Sequence, residues 1–239
     1  MRMRMRITAT LVVATAAALG LAGCVPFQTA GEVVTEEREI DDASRVVLRT
    51  SGELDIRIGS TPSLTITTGE NVLERLTSEV DDGELVLGSR RGAFLLGGWD
   101  IEYELTVTSL ESVTIDGSGD VTAEFGDASE VVVQIGGSGD IEATGIDAEQ
   151  VRAGIGGSGS LDLSGATETL NVNVSGSGDV DASELSADAA TVAVSGSGEV
   201  EVDASDSLDA TVSGSGTVIY AGRPEVRSNV SGSGEIRPE

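Results

Sequence analysis

The tripeptide Gly-Ser-Gly recurs seven times in this 239-residue chain, and no other feature limits its fold so strongly. Apolar and polar residues alternate on both sides of each copy, which distinguishes the array from a flexible Gly-Ser linker. A fixed period is the sequence signature of a repeat architecture. The serines are 18 to 20 residues apart, at Ser118, Ser138, Ser158, Ser177, Ser197, Ser215 and Ser233.

The flanking apolar residues keep the same distance from the serine in every copy. Alternation with a period of two places successive side chains on opposite faces of a strand. Each copy therefore predicts a strand, a tight corner and a second strand, with one face of both strands turned inward. Three residues before the serine stand Ile115, Ile135, Ile155, Val174, Val194, Val212 and Val230, and three residues after it stand Val121, Ile141, Leu161, Val180, Val200, Val218 and Ile236.

A single copy cannot cover its own apolar face, whereas stacked copies cover one another. We therefore predict an all-β, single-domain parallel β-helix, or β-solenoid, of about seven to eight coils with Gly-Ser-Gly corners. We expect the corner glycines to adopt positive φ and to allow close approach between coils. The regular repeats occupy residues 110–239, and Thr50-Ser51-Gly52 is interpreted as a degenerate first copy.

Further strands are predicted between the degenerate copy and the regular array. The Asp-Asp-Gly sequence at residues 81–83 is typical of the tight turn of a β-hairpin. At the other end, Arg237, Pro238 and Glu239 place charge and a proline on the last coil, and we expect them to hinder edge-to-edge association. The predicted strands cover residues 63–68, 75–80, 84–88 and 101–108.

The first 23 residues have the features of a secretory signal peptide. Arginines precede an apolar run over residues 7–21, which is short for a membrane span of roughly 20 residues. The Leu-Ala-Gly-Cys sequence that follows resembles a bacterial lipobox, so we predict cleavage before Cys24, lipidation of its thiol and stable membrane attachment. Ordinary secretory cleavage is the alternative. The predicted organisation is a signal peptide at 1–23, a lipidated cysteine and tether at 24–35, and a folded domain at 36–239.

The order of several motifs resembles a known family. After the lipobox come Ser-Gly-Glu-Leu-Asp-Ile at 51–56, the Asp-Asp-Gly-Glu-Leu hairpin at 81–85, and Leu-Glu-Ser-Val at 110–113, which opens the run of Gly-Ser-Gly corners. Over about residues 35–236 this order is similar to the auto-transporter adhesin head domain, or GIN domain. The resemblance implies a β-helical extracytoplasmic domain with an adhesive role, and it supplies no catalytic residues.

Composition limits the chemistry that the chain can perform. It contains no histidine, no lysine and one cysteine. A Ser-His-Asp triad, an imidazole metal ligand, a lysine Schiff base and a zinc–thiolate site are therefore excluded. Without residues 1–23, 11 arginines face 41 acidic residues, a net charge of −30. This charge argues against nucleic-acid and anionic-lipid partners. It is compatible with basic partners, with divalent cations, or with an acidic surface that merely keeps the protein soluble.

Acidic residues follow several of the corners and are predicted to form one column along the rod. Like charges stacked on neighbouring strands repel each other, and a calcium ion, which prefers oxygen ligands, would relieve this repulsion. A calcium column is therefore one hypothesis, and a solvated acidic edge is the alternative. No other cofactor is predicted. The column comprises Asp120, Asp140, Asp179 and Glu199, interrupted by Ser160.

An insertion at residues 89–99 differs in composition from the repeats. It contains Arg90, Arg91, Phe94 and the one tryptophan of the chain, Trp99. Tryptophan and arginine are enriched in binding hot spots, so these four residues are a candidate partner-binding surface. The alternative is that Phe94, Leu95 and Trp99 cap the open end of the solenoid core.

Together these features predict a surface-displayed lipoprotein, attached to the extracytoplasmic side of the membrane by lipid at Cys24. We expect a non-enzymatic adhesion or binding module for an unidentified surface protein or glycan. A structural cell-envelope protein without a specific ligand is the alternative. A carboxylate-dependent polysaccharide-cleaving enzyme is a more distant one: carboxylate pairs support glycoside hydrolysis, but among 41 acidic residues no pair stands out.

Overall fold

The computed structural model describes residues 30–90 and 100–239, which fold almost entirely into β-strands. Within these residues there is one short helix, α1 (Glu70–Leu73), and no helix is long and apolar enough to cross a membrane. The strands, in chain order, are β1 (Val33–Arg38), β2 (Arg45–Leu48), β3 (Glu53–Ile58), β4 (Ser63–Gly69), β5 (Leu76–Asp81), β6 (Glu84–Ser89), β7 (Glu102–Val107), β8 (Ser112–Ile115), β9 (Asp120–Glu124), β10 (Asp127–Ile135), β11 (Ile141–Ile155), β12 (Ser160–Val174), β13 (Asp179–Val194), β14 (Glu199–Gly214), β15 (Thr217–Gly222), β16 (Glu225–Gly232) and β17 (Glu235–Pro238).

The strands form two parallel stacks that share the long strands β11 to β14. Stack A contains the segments that follow the corners, in the order β3, β9, β11, β12, β13, β14, β15, β17. Stack B contains the segments that precede the corners, in the order β2, β8, β10, β11, β12, β13, β14, β16. Each long strand pairs through its first half in stack A and through its second half in stack B. Shifts of register mark the bend between the two halves.

The core lies between the two stacks and consists of the apolar columns expected from the repeat. In stack B, Ile115 pairs with Ile135, Ile135 with Ile155, and the column continues to Val212. In stack A the column runs from Val121 to Val218, and both columns are almost fully buried. Burying an aliphatic side chain of this size stabilises a fold by about 1.5–3 kcal/mol. The predicted all-β solenoid with inward-facing columns is confirmed.

At the corners, neighbouring coils meet through their backbones. The Ser138 amide donates to the Gly117 carbonyl at 3.1 Å, and the Ser158 amide donates to the Gly137 carbonyl at 3.2 Å. A Cβ atom on the first glycine of each corner would overlap the carbonyl oxygen one coil below. Positive φ occurs at only two of the corner glycines, Gly214 and Gly232. The expectation of positive φ was therefore wrong for the other corners, where close approach is the requirement that excludes a side chain.

The degenerate copy is flanked by coils on both sides. Strand β2 pairs with β6 on one side and β8 on the other, and β3 pairs with β7 and β9 in the same way. Strand β7 precedes the regular array in the chain but does not border it, because β3 lies between them. At its corner, buried Thr50 takes the place of glycine, and its hydroxyl donates to the Tyr103 hydroxyl at 3.3 Å.

Antiparallel strands cover the same end of the rod. Strand β4 pairs with β7, β1 pairs with β4, and β5 forms a hairpin with β6. The hairpin turn has Asp82 at φ 48° and Gly83 at φ 74°, the conformation for which Asp-Gly is favoured. Strand β1 begins at Val33, which lies inside the range 24–35 predicted to be a tether. The antiparallel pairing of β1 with β4 does not follow the repeat period, and the boundary between tether and domain stays a prediction.

Candidate functional site

A groove of about 640 Å³ follows the bend between stack A and stack B. The Gly-Ser-Gly corners close one side of each coil, and this bend closes the other. Small, buried residues occupy the middle of the bend in successive coils, so the backbone itself lies close to the surface of the groove. They are Ala148, Thr167, Ala187 and Ala204.

Two rows of outward-facing residues, all polar except Ala166, flank these small residues, because the side chain on either side of an inward residue points outward. Among the described residues that line the groove, six are acidic and none is basic. A concave surface lined by one sign of charge concentrates the electrostatic potential and attracts cations. One row contains Asp127, Asp147, Ala166, Ser186 and Asp203, and the other contains Ser129, Glu149, Glu168, Asp188 and Ser205.

A second acidic column lies on the outer face of stack A. Glu142 pairs with Asp162, Asp162 with Asp181, and Asp181 with Glu201, so four carboxylates follow one another on adjacent strands. Desolvation raises the pKa of Asp162 above its ordinary value, and the neighbouring charges of Asp181, Glu142 and Asp140 raise it further. Asp181 is held by local contacts: its Oδ1 accepts from the Ser183 amide at 3.0 Å and from the Ser183 hydroxyl at 2.6 Å.

The predicted calcium column does form a row on successive coils, and its carboxylates bind backbone amides. Asp120 Oδ1 accepts from the Asp140 amide at 3.1 Å, and Asp179 Oδ1 accepts from the Glu199 amide at 2.8 Å. Asp140 Oδ1 accepts from the amide and the hydroxyl of Ser160, at 2.8 and 2.6 Å. Within residues 30–90 and 100–239, no three acidic side chains are grouped to hold a metal ion. Calcium binding stays a prediction, and the observed contacts brace one coil against the next.

The structure describes one of the four residues in the predicted partner-binding insertion. Arg90 is exposed, and its amide donates to the Arg75 carbonyl at 2.9 Å. Arg91, Phe94 and Trp99 lie outside the described residues, as does Cys24.

Sequence reasoning missed the groove, although a signal for it was present. The triplets Asp127-Ala128-Ser129, Asp147-Ala148-Glu149 and Asp203-Ala204-Ser205 share an aspartate, an alanine and a polar residue. The first two begin 9 residues after their corner serine, whereas the third begins 6 residues after it, because the bend contains register shifts. Fixed offsets from the corners therefore align the first two triplets but not the third.

Three comparisons relate this chain to known proteins. Its residues 44–224 match the model of the family described as "Putative auto-transporter adhesin, head GIN domain". A comparison with curated proteins gives no match. Among solved structures, a "putative adhesin" from Bacteroides fragilis has a TM-score of 0.83 at 20% identity, covering 87% of this chain and 97% of its own.

Two structures from Parabacteroides distasonis ATCC 8503 show the same fold. A "putative lipid binding protein" has a TM-score of 0.69 at 24% identity, with 87% of this chain and 97% of its own chain covered. A "putative adhesin" has a TM-score of 0.64 at 19% identity, with 87% and 98% covered. At these identities the likeness concerns the fold, whereas the family model covers most of the sequence. This chain therefore belongs to the GIN-domain family of auto-transporter adhesin heads.

Proposed function

We propose that this protein is a lipoprotein, anchored through Cys24 on the extracytoplasmic side of the membrane, and that it acts as a non-enzymatic adhesion or binding module. Family membership supports an adhesive role and a surface location. The N-terminal residues support lipidation, since Leu-Ala-Gly precedes the one cysteine of the chain.

The acidic groove is the observation that carries the binding role. Its walls carry six carboxylates on strands of a solenoid, so the spacing of these groups is set by the backbone and not by mobile loops. A rigid acidic wall loses little conformational entropy when it binds. The chemistry favours an extended partner with several cationic groups, such as an arginine- or lysine-rich segment of a surface protein.

The anchor is tested by growing the producing cells with an alkyne-bearing fatty acid and purifying the protein. We expect the native chain to carry the label and to sediment with membranes, and Cys24→Ala to lose both properties. Membrane-bound protein without label would contradict lipidation at Cys24. The insertion is tested with three alanine substitutions, Arg90→Ala, Arg91→Ala and Trp99→Ala. We expect these variants to keep the fatty-acid label. Weaker partner binding by them would show that the insertion contacts the partner.

The groove is tested by calorimetric titration of the unlipidated mature chain with an oligo-arginine peptide. We expect Glu149→Gln with Glu168→Gln to weaken binding at least several-fold. The matched control, Glu102→Gln with Glu104→Gln, removes the same charge from β7, away from the groove. Equal weakening by both pairs would show only general attraction to an acidic protein. No saturable binding by the native chain would favour the structural cell-envelope role.

A further inference from the structure

The end of the rod formed by β16 and β17 differs in charge from the array that leads to it. Residues 110–219 contain one arginine and 21 acidic residues, whereas residues 220–239 contain three arginines and three acidic residues. Two copies of this protein repel each other along most of their length. Repulsion is smallest where these neutral ends face each other.

Within residues 30–90 and 100–239, strand β16 has one neighbour and one free edge. It pairs with β14 in parallel over its full length. Along a parallel strand, the amide and carbonyl groups of alternate residues point to the same side. In earlier coils the amides of Ser175 and Ser195, which stand directly before a corner, donate to the preceding coil at 2.9 and 2.7 Å. Ser231 stands directly before the last corner, so its amide points toward β14, and the residues that alternate with it point the other way. Val226, Ser228 and Val230 therefore direct their amide and carbonyl groups to the free edge.

The side chains of the same three residues continue the core columns, and no further coil in the described part of the chain covers them. Val226, Ser228 and Val230 pair with Leu208, Ala210 and Val212, which are buried. Val230 is 43% exposed, and Val226 is partly buried against the core. The edge of β16 thus combines unpaired backbone groups with uncovered valines.

The free edge of β17 is different, because Pro238 occupies it. The amides of Glu235 and Glu239 bond to Gly216 and Tyr220, both at 3.1 Å, so Ile236 and Pro238 point to the free side. Proline has no amide hydrogen to offer there. The predicted guard against association therefore applies to stack A, and the edge of stack B has no proline.

We propose that two copies of this protein join end to end, with β16 of one copy pairing antiparallel to β16 of the other about a twofold axis at Ser228. In this register Val226 faces Val230 of the second copy, so the partly buried valine of one copy covers the exposed valine of the other. Arg227, paired with Glu225 at 3.2 Å, faces Asn229. A register centred one residue earlier would place the two Arg227 side chains directly opposite each other, which is unfavourable.

Such a dimer would connect two membrane surfaces if each copy is anchored at its N-terminus. Strand β1 lies at the opposite edge of stack A from β17, about ten strand spacings or roughly 48 Å away. A twofold contact at β16 therefore places the two N-terminal strands at opposite ends of a rod of double length. If Cys24 carries the lipid, as proposed above, copies in two membranes would hold those membranes together.

The pairing is tested by sedimentation velocity of residues 24–239 carrying Cys24→Ser, which retain every described strand. We expect a concentration-dependent dimer. Val230→Asp, which charges the edge, and Ser228→Pro, which removes a free amide, should each give a monomer. The matched control is Val33→Asp, because Val33 is an exposed valine on the edge strand at the other end. A monomeric native chain at all concentrations, or a dimer unchanged by both edge variants, would overturn the proposal.

The register is tested by cysteine cross-linking in the same Cys24→Ser background. Opposed residues in a hydrogen-bonded antiparallel pair have Cα atoms about 5.5 Å apart, which suits a disulfide. Ser228→Cys should therefore form a disulfide-linked dimer on mild oxidation. Val226→Cys should not, because the two copies of residue 226 lie about 13 Å apart in this register. Equal cross-linking of both variants would refute the proposed twofold position.

The bridging consequence is tested independently of natural lipidation. Coupling the single thiol of Cys24 to maleimide lipids places the chain on vesicles in the orientation proposed for the cell. We expect light scattering to show clustering of these vesicles, and Ser228→Pro to abolish it. Dimers in solution without vesicle clustering would leave the contact standing and refute the bridging geometry.

Discussion

The corner glycines show how a single residue limits this fold. Six consecutive serine amides, from Ser138 to Ser233, donate to the first glycine carbonyl of the preceding corner, at 2.8–3.2 Å. This bond brings successive corner backbones so close that a Cβ at the first glycine overlaps the carbonyl below. The degenerate copy tolerates Thr50 at this position because the threonine side chain points inward and contacts Tyr103.

A glycine substitution tests this steric requirement. We expect Gly157→Ala to lower the free energy of unfolding by about 3 kcal/mol, because its Cβ would overlap the Gly137 carbonyl oxygen. The melting temperature should fall by roughly 6–12 °C. The control is Gly126→Ala, which meets no atom within 4 Å and should leave the melting temperature nearly unchanged. Equal melting temperatures of the two variants would show that the corner backbones can move apart.

At the scale of the strand, the pairing register decides which charges face each other. The repeat places Glu142, Asp162, Asp181 and Glu201 in one column on the outer face of stack A. The pKa of Asp162 is raised first by desolvation and then by the carboxylates of its neighbours. The ionised form of Asp162 therefore costs stability at neutral pH.

Because ionised Asp162 destabilises the fold, we expect Asp162→Asn to raise the melting temperature, by an amount that depends on pH. Since the pKa of Asp162 is raised in the folded state, its ionisation lowers the stability of the fold fully at pH values above that pKa. This loss of stability shrinks as the pH falls through the raised pKa and vanishes below the ordinary value of 3.8. Asp162 is exposed, so the gain at neutral pH should be roughly 1–3 °C in melting temperature. Glu124→Gln is the control, because Glu124 pairs with Thr144. A gain that persists at pH 3 would show that charge is not its cause.

At the scale of the whole molecule, repulsion between like charges destabilises the folded rod. The acidic columns and the groove run along the same array, and the arginines of the described chain lie mainly at its two ends. Sodium chloride should therefore raise the melting temperature, since the Debye length shortens from about 10 Å at 0.1 M to about 3 Å at 1 M.

Calcium chloride at matched ionic strength separates screening from a specific site. If Asp120, Asp140, Asp179 and Glu199 hold calcium, the melting temperature should rise above that in sodium chloride, with saturable micromolar binding in calorimetry. Asp140→Asn, whose amide oxygen can still accept from Ser160, should then remove the extra rise. Equal melting temperatures in the two salts would leave this column as a set of backbone-bracing carboxylates.

The sequence by itself determined the repeating part of this protein. Its strands, its buried columns from Ile115 and Val121 onward, and the hairpin at residues 81–83 follow from alternation and turn chemistry, which are local properties. The row of Asp120, Asp140 and Asp179 followed from the same period. Only the tertiary structure decided the order of the coils around β2 and β3, the pairing of β1 with β4, the acidic groove and the free edge of β16. These depend on pairing between distant segments and on register shifts at the bends, neither of which a fixed sequence period encodes.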